Sequence, residues 1–232
     1  MPDSQEIIAI VVAGGVGSRF GGPIPKQLMN LGGHPVLHHA LRKFEAADSV
    51  GRIVVAANVD WSEEIGEICD SALRRTPFEM VAAGAERNIS IRNALVPLKE
   101  VEQARILVHD GVRPLVTTEL IARVAASLSQ HRSVIPVIPS SDPLVVVSGD
   151  RVRGFEQRDT VMRGQSPQGF QLSDLRLCLE GQVDAGMFST VFEALRAMDP
   201  GAEIVCVEGD PNNLKVTTPI DRVIAGRLLL EE

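Results

Sequence analysis

The chain has 232 residues, 44% of them hydrophobic, enough to bury one sizeable core and short enough that a single domain is expected. Its 23 Lys and Arg against 30 Asp and Glu leave a formal charge of −7, so the surface as a whole repels nucleic acid and anionic membrane, and a phosphate site has to be built locally. Cys69, Cys178 and Cys206 stand far apart with no CxxC or Cys/His ligand spacing, which argues against a zinc site and a disulfide framework and fits a reducing cytoplasm.

At the N-terminus the acidic MPDSQE leads into an apolar run that glycines end after about seven residues, too short for a signal peptide or a membrane span. That run, Ile7 to Ala13, is β-branched throughout and predicts a first central strand buried on both faces of a parallel sheet. Leu37, Ala40, Leu41 and Phe44 recur at helical spacing after Pro35, and Arg52 to Asn58 predicts the next strand, completing a βαβ unit. The alternation continues: helix Ser62 to Leu73, strand Phe78 to Ala82, helix Asn88 to Leu98, strand Arg105 to His109, helix Thr118 to Leu128, strand Val134 to Ile138. This is the pattern of an α/β domain with a parallel sheet.

The texture then changes to PSSDPLVVVSGDRVRGFEQRD, with a hairpin turn at Ser148-Gly149-Asp150. Pro136, Pro139 and Pro143 each deny a backbone donor, which suits an edge or a projecting arm better than a central strand. A single domain over 1–232 with a dimerisation arm at about 139–164 is therefore expected. Helices Asp174 to Gln182 and Thr190 to Met198, a strand Glu203 to Val207 and a closing helix Ile220 to Leu230 complete the chain.

The loop Ala13-Gly14-Gly15-Val16-Gly17-Ser18-Arg19 follows the first strand, where glycines let backbone N–H groups approach a phosphate chain and Arg19 adds a fixed cationic fork. A dinucleotide fingerprint wants a glycine where Phe20 stands, and a P-loop wants Gly-Lys-Ser/Thr, so neither applies. Pro23 and Pro25 stiffen the continuation and aim Lys26 back at the glycine turn. His109-Asp110-Gly111-Val112-Arg113-Pro114 puts a carboxylate at the C-terminal edge of the sheet, where α/β ligands bind and where Asp110 beside a triphosphate is a natural Mg²⁺ partner. Lys215, just before the last helix, is a second candidate lysine.

Over nearly its whole length the sequence resembles the methylerythritol-phosphate and ribitol-5-phosphate cytidylyltransferases, through AGGVGSR (13–19), PKQ (25–27), GAERNIS (84–90), HDGVRP (109–114), GQSPQGF (164–170) and NLKVTTP (213–219), in the family's order. The resemblance implies a Rossmann-like sheet of the nucleotide-diphospho-sugar transferase type with a projecting β-arm, a homodimer, Mg²⁺ as cofactor, and attack of a polyol phosphate on the α-phosphorus of CTP. By matching position, Arg19, Lys26 and Lys215 would neutralise phosphate charge. Ala13, Gly14, Gly15, Gly17, Gly84, Ala85 and Ser90 would surround the nucleotide, with Ser90 and the backbone reading cytosine. Asp110, Arg158 and Ser166 would hold the acceptor, with Asp110 also organising the metal.

Two stretches depart from the family: Asp142-Pro143 replaces Asp-Thr at the arm base, and Ser189-Thr190-Val191-Phe192-Glu193 lacks an expected carboxylate. Both lie on the acceptor side. Gly14-Gly15, Val112, Gly164 and Asn88 tilt mildly toward the ribitol branch, leaving ribitol 5-phosphate and methylerythritol 4-phosphate near parity. A UTP- or dTTP-dependent sugar-phosphate nucleotidyltransferase and a non-catalytic nucleotide-binding paralogue are the competing readings. His109 is read as orienting the Asp110 turn, because an attacking phosphate is already ionised near neutral pH.

Overall fold

A computed structural model describes residues 6–15, 24–180 and 187–231. Its strands are β1 (Ile7–Ala13), β2 (Asn30–Leu31), β3 (His34–Pro35), β4 (Arg52–Ala57), β5 (Phe78–Ala82), β6 (Arg105–Asp110), β7 (Ser133–Pro139), β8 (Val145–Ser148), β9 (Arg151–Phe155), β10 (Met162–Gly164), β11 (Gln168–Gln171) and β12 (Val205–Glu208). The helices are α1 (Val36–Ala46), α2 (Ser62–Ala72), α3 (Arg87–Ala94), α4 (Thr118–Ser127), α5 (Leu172–Leu179), α6 (Val191–Met198) and α7 (Pro219–Leu228).

Eight strands form one sheet in the order β10-β7-β11-β6-β1-β4-β5, with β12 also paired to β7. β1 lies between β6 and β4, parallel to both, and β5 continues parallel on β4. The β-branched run earns this central place by filling both faces. Ile7, Ala9, Val11 and Ala13 pack with α1, α2 and α4, while Ile8 and Ile10 pack with α3, α5 and α6, the period of two that a pleated strand dictates. Alternation of strand and helix thus yields the expected α/β sheet with helices on both faces. Among the described residues no helix is long and apolar enough to cross a membrane, and all three cysteines are free.

Local chemistry sets the ends. Thr117 accepts from the Leu120 N–H to open α4, Thr190 accepts from Glu193 to open α6, and Thr218 with Asp221 forms a capping box on α7. Thr190 in the departing 189–193 stretch is therefore a helix cap, with Ser189 hydrogen-bonded to Glu193. The expected helix 88–98 instead ends at Ala94 and continues as a 3₁₀ turn over Val96–Leu98, because Pro97 cannot keep an α-helical hydrogen bond. The expected helix 174–182 starts earlier and stops at Leu179; Gln182 lies outside the described residues.

The arm expectation needs one correction. β8 and β9 do form a separate hairpin around Gly149, whose φ of +61° suits glycine. Pro136, however, sits inside an internal strand, since β7 pairs with β12 on one edge and with β10 and β11 on the other. The carbonyl of Pro136 accepts from Gln165 N at 2.8 Å, so its ring nitrogen faces the interruption between β10 and β11. There the ladder is already broken, and a missing donor costs little.

Candidate functional site

A cavity of about 660 Å³ opens at the C-terminal ends of β1, β4 and β6, the edge at which parallel sheets bind ligands. One wall is made by Ala13, Gly14 and Gly15 after β1 and by Ala83, Gly84, Ala85 and Ser90 after β5. Glycine is required here by close approach. A Cβ on Gly14 would fall inside the Ala83 methyl, and one on Gly84 inside the Ile89 side chain. Ser90 is buried: its Oγ accepts from Gly84 N at 3.0 Å and donates to Glu86 O at 3.0 Å, which ties the turn to the start of α3.

Lys26 borders the cavity from the short 3₁₀ turn Lys26–Leu28. Its neighbour Gln27, which the sequence left unassigned, also lines the cavity. Buried, it donates through Nε2 to Ala13 O at 2.7 Å and to Gly15 O at 3.0 Å, so it braces the glycine loop with side-chain donors. Arg19 and Gly17 lie outside the described residues.

Asp110, the last residue of β6, lines the same cavity, in register with Val12 at the end of β1. Its Oδ1 accepts from Arg87 Nε at 3.0 Å, and its Oδ2 lies 3.0 Å from Lys215 Nζ and 3.6 Å from Arg113 Nε. Burial pushes the Asp110 pKa up, but the Arg87, Lys215 and Arg113 charges outweigh that and hold the carboxyl well below its usual range. Three cations around one carboxylate leave this cluster net positive, in a chain that is acidic overall. Arg87 and Arg113 were not singled out as site residues in the sequence; their only signal was their place inside GAERNIS and HDGVRP. Arg87 also donates to Gln168 Oε1 at 3.1 Å, and Arg113 to Asn213 O at 2.7 Å.

The backbone of Asp110 is fixed from beneath. Its N–H donates to Ser166 Oγ at 3.1 Å, Ser166 Oγ meets His109 Nδ1 at 3.1 Å, and His109 Nε2 meets Arg113 O at 3.2 Å. A carbonyl can only accept, so Nε2 carries the ring proton and Nδ1 accepts from the Ser166 hydroxyl. His109 is fully buried against Phe44, and burial pushes its pKa down to about 4, so the ring is neutral near pH 7. His109 thus sits where the sequence reading put it, in the Asp110 turn, with both ring nitrogens engaged.

Ser166, expected on the acceptor, is 1% exposed, does not line the cavity, and spends its hydroxyl inside this chain of bonds. Arg158 is exposed on the arm segment after β9 and is not among the cavity-lining residues. The structure therefore brings together Ala13, Gly14, Gly15, Lys26, Gly84, Ala85, Ser90, Asp110 and Lys215, and does not bring Arg158 or the Ser166 hydroxyl to them within one chain.

The donor set does not make a protein-held magnesium site. Both Asp110 oxygens face cationic nitrogens, and among the described residues no group of three or more His, Cys, Asp or Glu side chains is placed to hold a metal. Mg²⁺ favours phosphate oxygens and water with one or two carboxylates, so the ion fits this cavity only as part of a nucleotide triphosphate.

A net-positive cluster and two glycine turns lining one cavity suit a phosphate-bearing ligand, and similarity to known proteins points the same way. Residues 7–231 match the family model described as IspD: 2-C-methyl-D-erythritol 4-phosphate cytidylyltransferase. A 2-C-methyl-D-erythritol 4-phosphate cytidylyltransferase of Cereibacter sphaeroides is 39% identical over 224 residues, which span 95% of this chain and 96% of that protein. The chain is also 35% identical over 227 residues to a bifunctional enzyme IspD/IspF of Rhodospirillum rubrum, covering 98% of this chain and 58% of that protein. In fold it is similar to the crystal structure of the 4-diphosphocytidyl-2C-methyl-D-erythritol synthase of Anaerococcus prevotii, with a TM-score of 0.83 at 24% identity over 99% of this chain and 98% of that one. The chain belongs to the IspD family of 2-C-methyl-D-erythritol 4-phosphate cytidylyltransferases and is a nucleotidyltransferase of the cytidylyl-transferring type.

Proposed function

We propose that the chain transfers the cytidylyl group of CTP to 2-C-methyl-D-erythritol 4-phosphate. The observation that carries the reading is the Lys215–Asp110–Arg87 cluster, with Arg113 bound to the same carboxylate, lining one cavity with the glycine turns. An oxygen of the acceptor phosphate attacks the α-phosphorus and forms the new O–P bond. The bond from that phosphorus to the α,β-bridging oxygen breaks, and pyrophosphate leaves with the electron pair. The attacking phosphate is already ionised near neutral pH, so no base is required. The work left to the protein is positioning and charge stabilisation. Lys26 and Lys215 supply charge at the cavity, Asp110 orients Lys215 and the acceptor, and Gly14, Gly84 and Ser90 shape the wall against which the base is read.

The choice of acceptor rests on the family match and on the relatives named for methylerythritol phosphate. Two of the residues that tilt toward ribitol phosphate report packing instead. Asn88 is buried with Nδ2 donating to Phe188 O at 2.8 Å, and a Cβ on Gly164 would come within 2.8 Å of the Ile135 side chain. Neither lines the cavity. The hairpin of β8 and β9 exposes Val145, Val146, Val147, Val152 and Phe155, which supports its use as a dimerisation arm carrying Arg158 to a partner's cavity. A cytoplasmic location is supported by three free cysteines.

The test is pyrophosphate release with Mg²⁺ and CTP, comparing methylerythritol 4-phosphate with ribitol 5-phosphate. A kcat/KM for the former at least tenfold higher is expected. A preference for ribitol phosphate overturns the acceptor, and faster release from UTP or dTTP overturns the base.

A further inference from the structure

Lys215 reaches Asp110 from the loop that leads into α7, and its side chain is 37% exposed. Its ammonium rides on a flexible four-carbon stem, so the place of its backbone sets which partners the charge can reach. What holds that backbone lies under the cavity. Gln165, between β10 and β11, is 4% exposed and is tied into the sheet by its N–H to Pro136 O at 2.8 Å.

The Gln165 side-chain amide pairs with the loop as a strand would. Its Oε1 accepts from Asp210 N at 3.0 Å, and its Nε2 donates to Asp210 O at 2.8 Å and to Asn213 O at 3.3 Å. The loop lies directly upon it: a Cβ on Gly209 would stand 2.5 Å from Gln165 Oε1. Two residues before Lys215, Asn213 is fully buried and donates through Nδ2 to Ser166 O at 2.7 Å, and one residue after Lys215, Val216 N donates to Val112 O at 2.8 Å. Gln165 itself does not line the cavity.

We propose that Gln165 is a positioning residue for the transfer: its amide clamps the 210–213 loop so that Lys215 Nζ is presented at Asp110 and the phosphates. This rests on the reading that Lys215 acts on the phosphates. If the clamp loosens, Lys215 keeps its charge but loses its place, which lowers turnover more than nucleotide affinity. Gln165→Glu keeps the shape and one acceptor but removes both donated bonds, and Gln165→Leu removes all three.

The experiment is a double-mutant cycle on steady-state pyrophosphate release, with thermal melting of every variant. Gln165→Glu and Gln165→Leu are expected to lower kcat by about 10- to 100-fold while KM for CTP moves less than about twofold. In a Lys215→Ala background the same substitutions are expected to cost less than about a further twofold, because the residue they position is gone. Gly209→Ala, which pushes the loop off the amide from the other side, should reproduce the signature. An equal loss in both backgrounds, a loss confined to KM, or failure of all three variants to fold makes Gln165 merely structural and overturns the proposal. Unchanged turnover in Lys215→Ala alone is a different outcome, which overturns the phosphate role of Lys215 on which the proposal rests.

Discussion

Replacing His109 by Gln should flatten the acid side of the stability curve. In the folded chain burial pushes the His109 pKa down to about 4, whereas an exposed histidine in the unfolded chain titrates near 6.5. Between these values the unfolded chain binds the proton and the folded chain does not, so stability is full above pH 6.5 and is lost as the pH falls toward 4. From pH 8 to pH 5 this one residue accounts for a loss of about 2 kcal/mol. Gln at this position can still accept from Ser166 and donate to Arg113 O, so the variant keeps the hydrogen-bond chain and removes only the titration. Urea unfolding of both proteins at pH 8 and pH 5 measures the difference. His38, whose pKa burial also pushes down to about 4, contributes a slope of the same sign that remains in both proteins. Equal losses in the wild type and His109→Gln would show that His109 titrates alike in the folded and unfolded states, and would refute the buried neutral ring.

Gly84→Ala puts a Cβ inside the Ile89 side chain and 3.1 Å from its carbonyl carbon. It should cost about 1–3 kcal/mol of stability and abolish most of the thermal shift produced by CTP; an undiminished shift would mean that the base does not lie against this turn. Val147→Asp, at a position 60% exposed on the hairpin, should convert a dimer to monomer in size-exclusion chromatography with light scattering while leaving the melting temperature of the domain nearly unchanged. A wild-type chain that is monomeric at working concentration removes the dimer reading altogether.

How far the sequence carried the reading differs between the two halves of the sheet. β1, β4 and β6 each carry a run of Val, Ile, Leu or Ala that suits a doubly covered parallel sheet, and they stand within a residue of their expected bounds. β10 and β11, written MRG and QGFQ, carry no such pattern; they are strands because β7 offers them an edge, which is information held by distant residues. Pro136 misled for the same reason, since its position is acceptable only beside a ladder interrupted elsewhere.

In the site, Lys26, Asp110 and Lys215 were legible as charges beside glycine and turn signals. Arg87, Arg113, Gln27 and Gln165 were not, because each acts on another residue and only a distance reveals it. All four stand inside the quoted motifs, which was the available signal. Ser166 was assigned to the acceptor by matching position; its hydroxyl is hydrogen-bonded on both sides beneath Asp110 and does not line the cavity within one chain.

The interruption opposite Pro136 joins two roles in adjacent residues, Gln165 holding the 210–213 loop and Ser166 the Asp110 turn. Pairing of β7 runs from Val137 opposite Gly164 to Val134 opposite Gly169, so the β10–β11 segment carries a surplus between the two pairings. Trimming that surplus would close the ladder against Pro136, whose ring nitrogen has no proton to give it. It would also remove the slack from which Gln165 and Ser166 turn toward the 210–213 loop and the Asp110 turn. A ladder completed by design would therefore be weaker at Pro136 and would lose the Gln165 and Ser166 contacts with it.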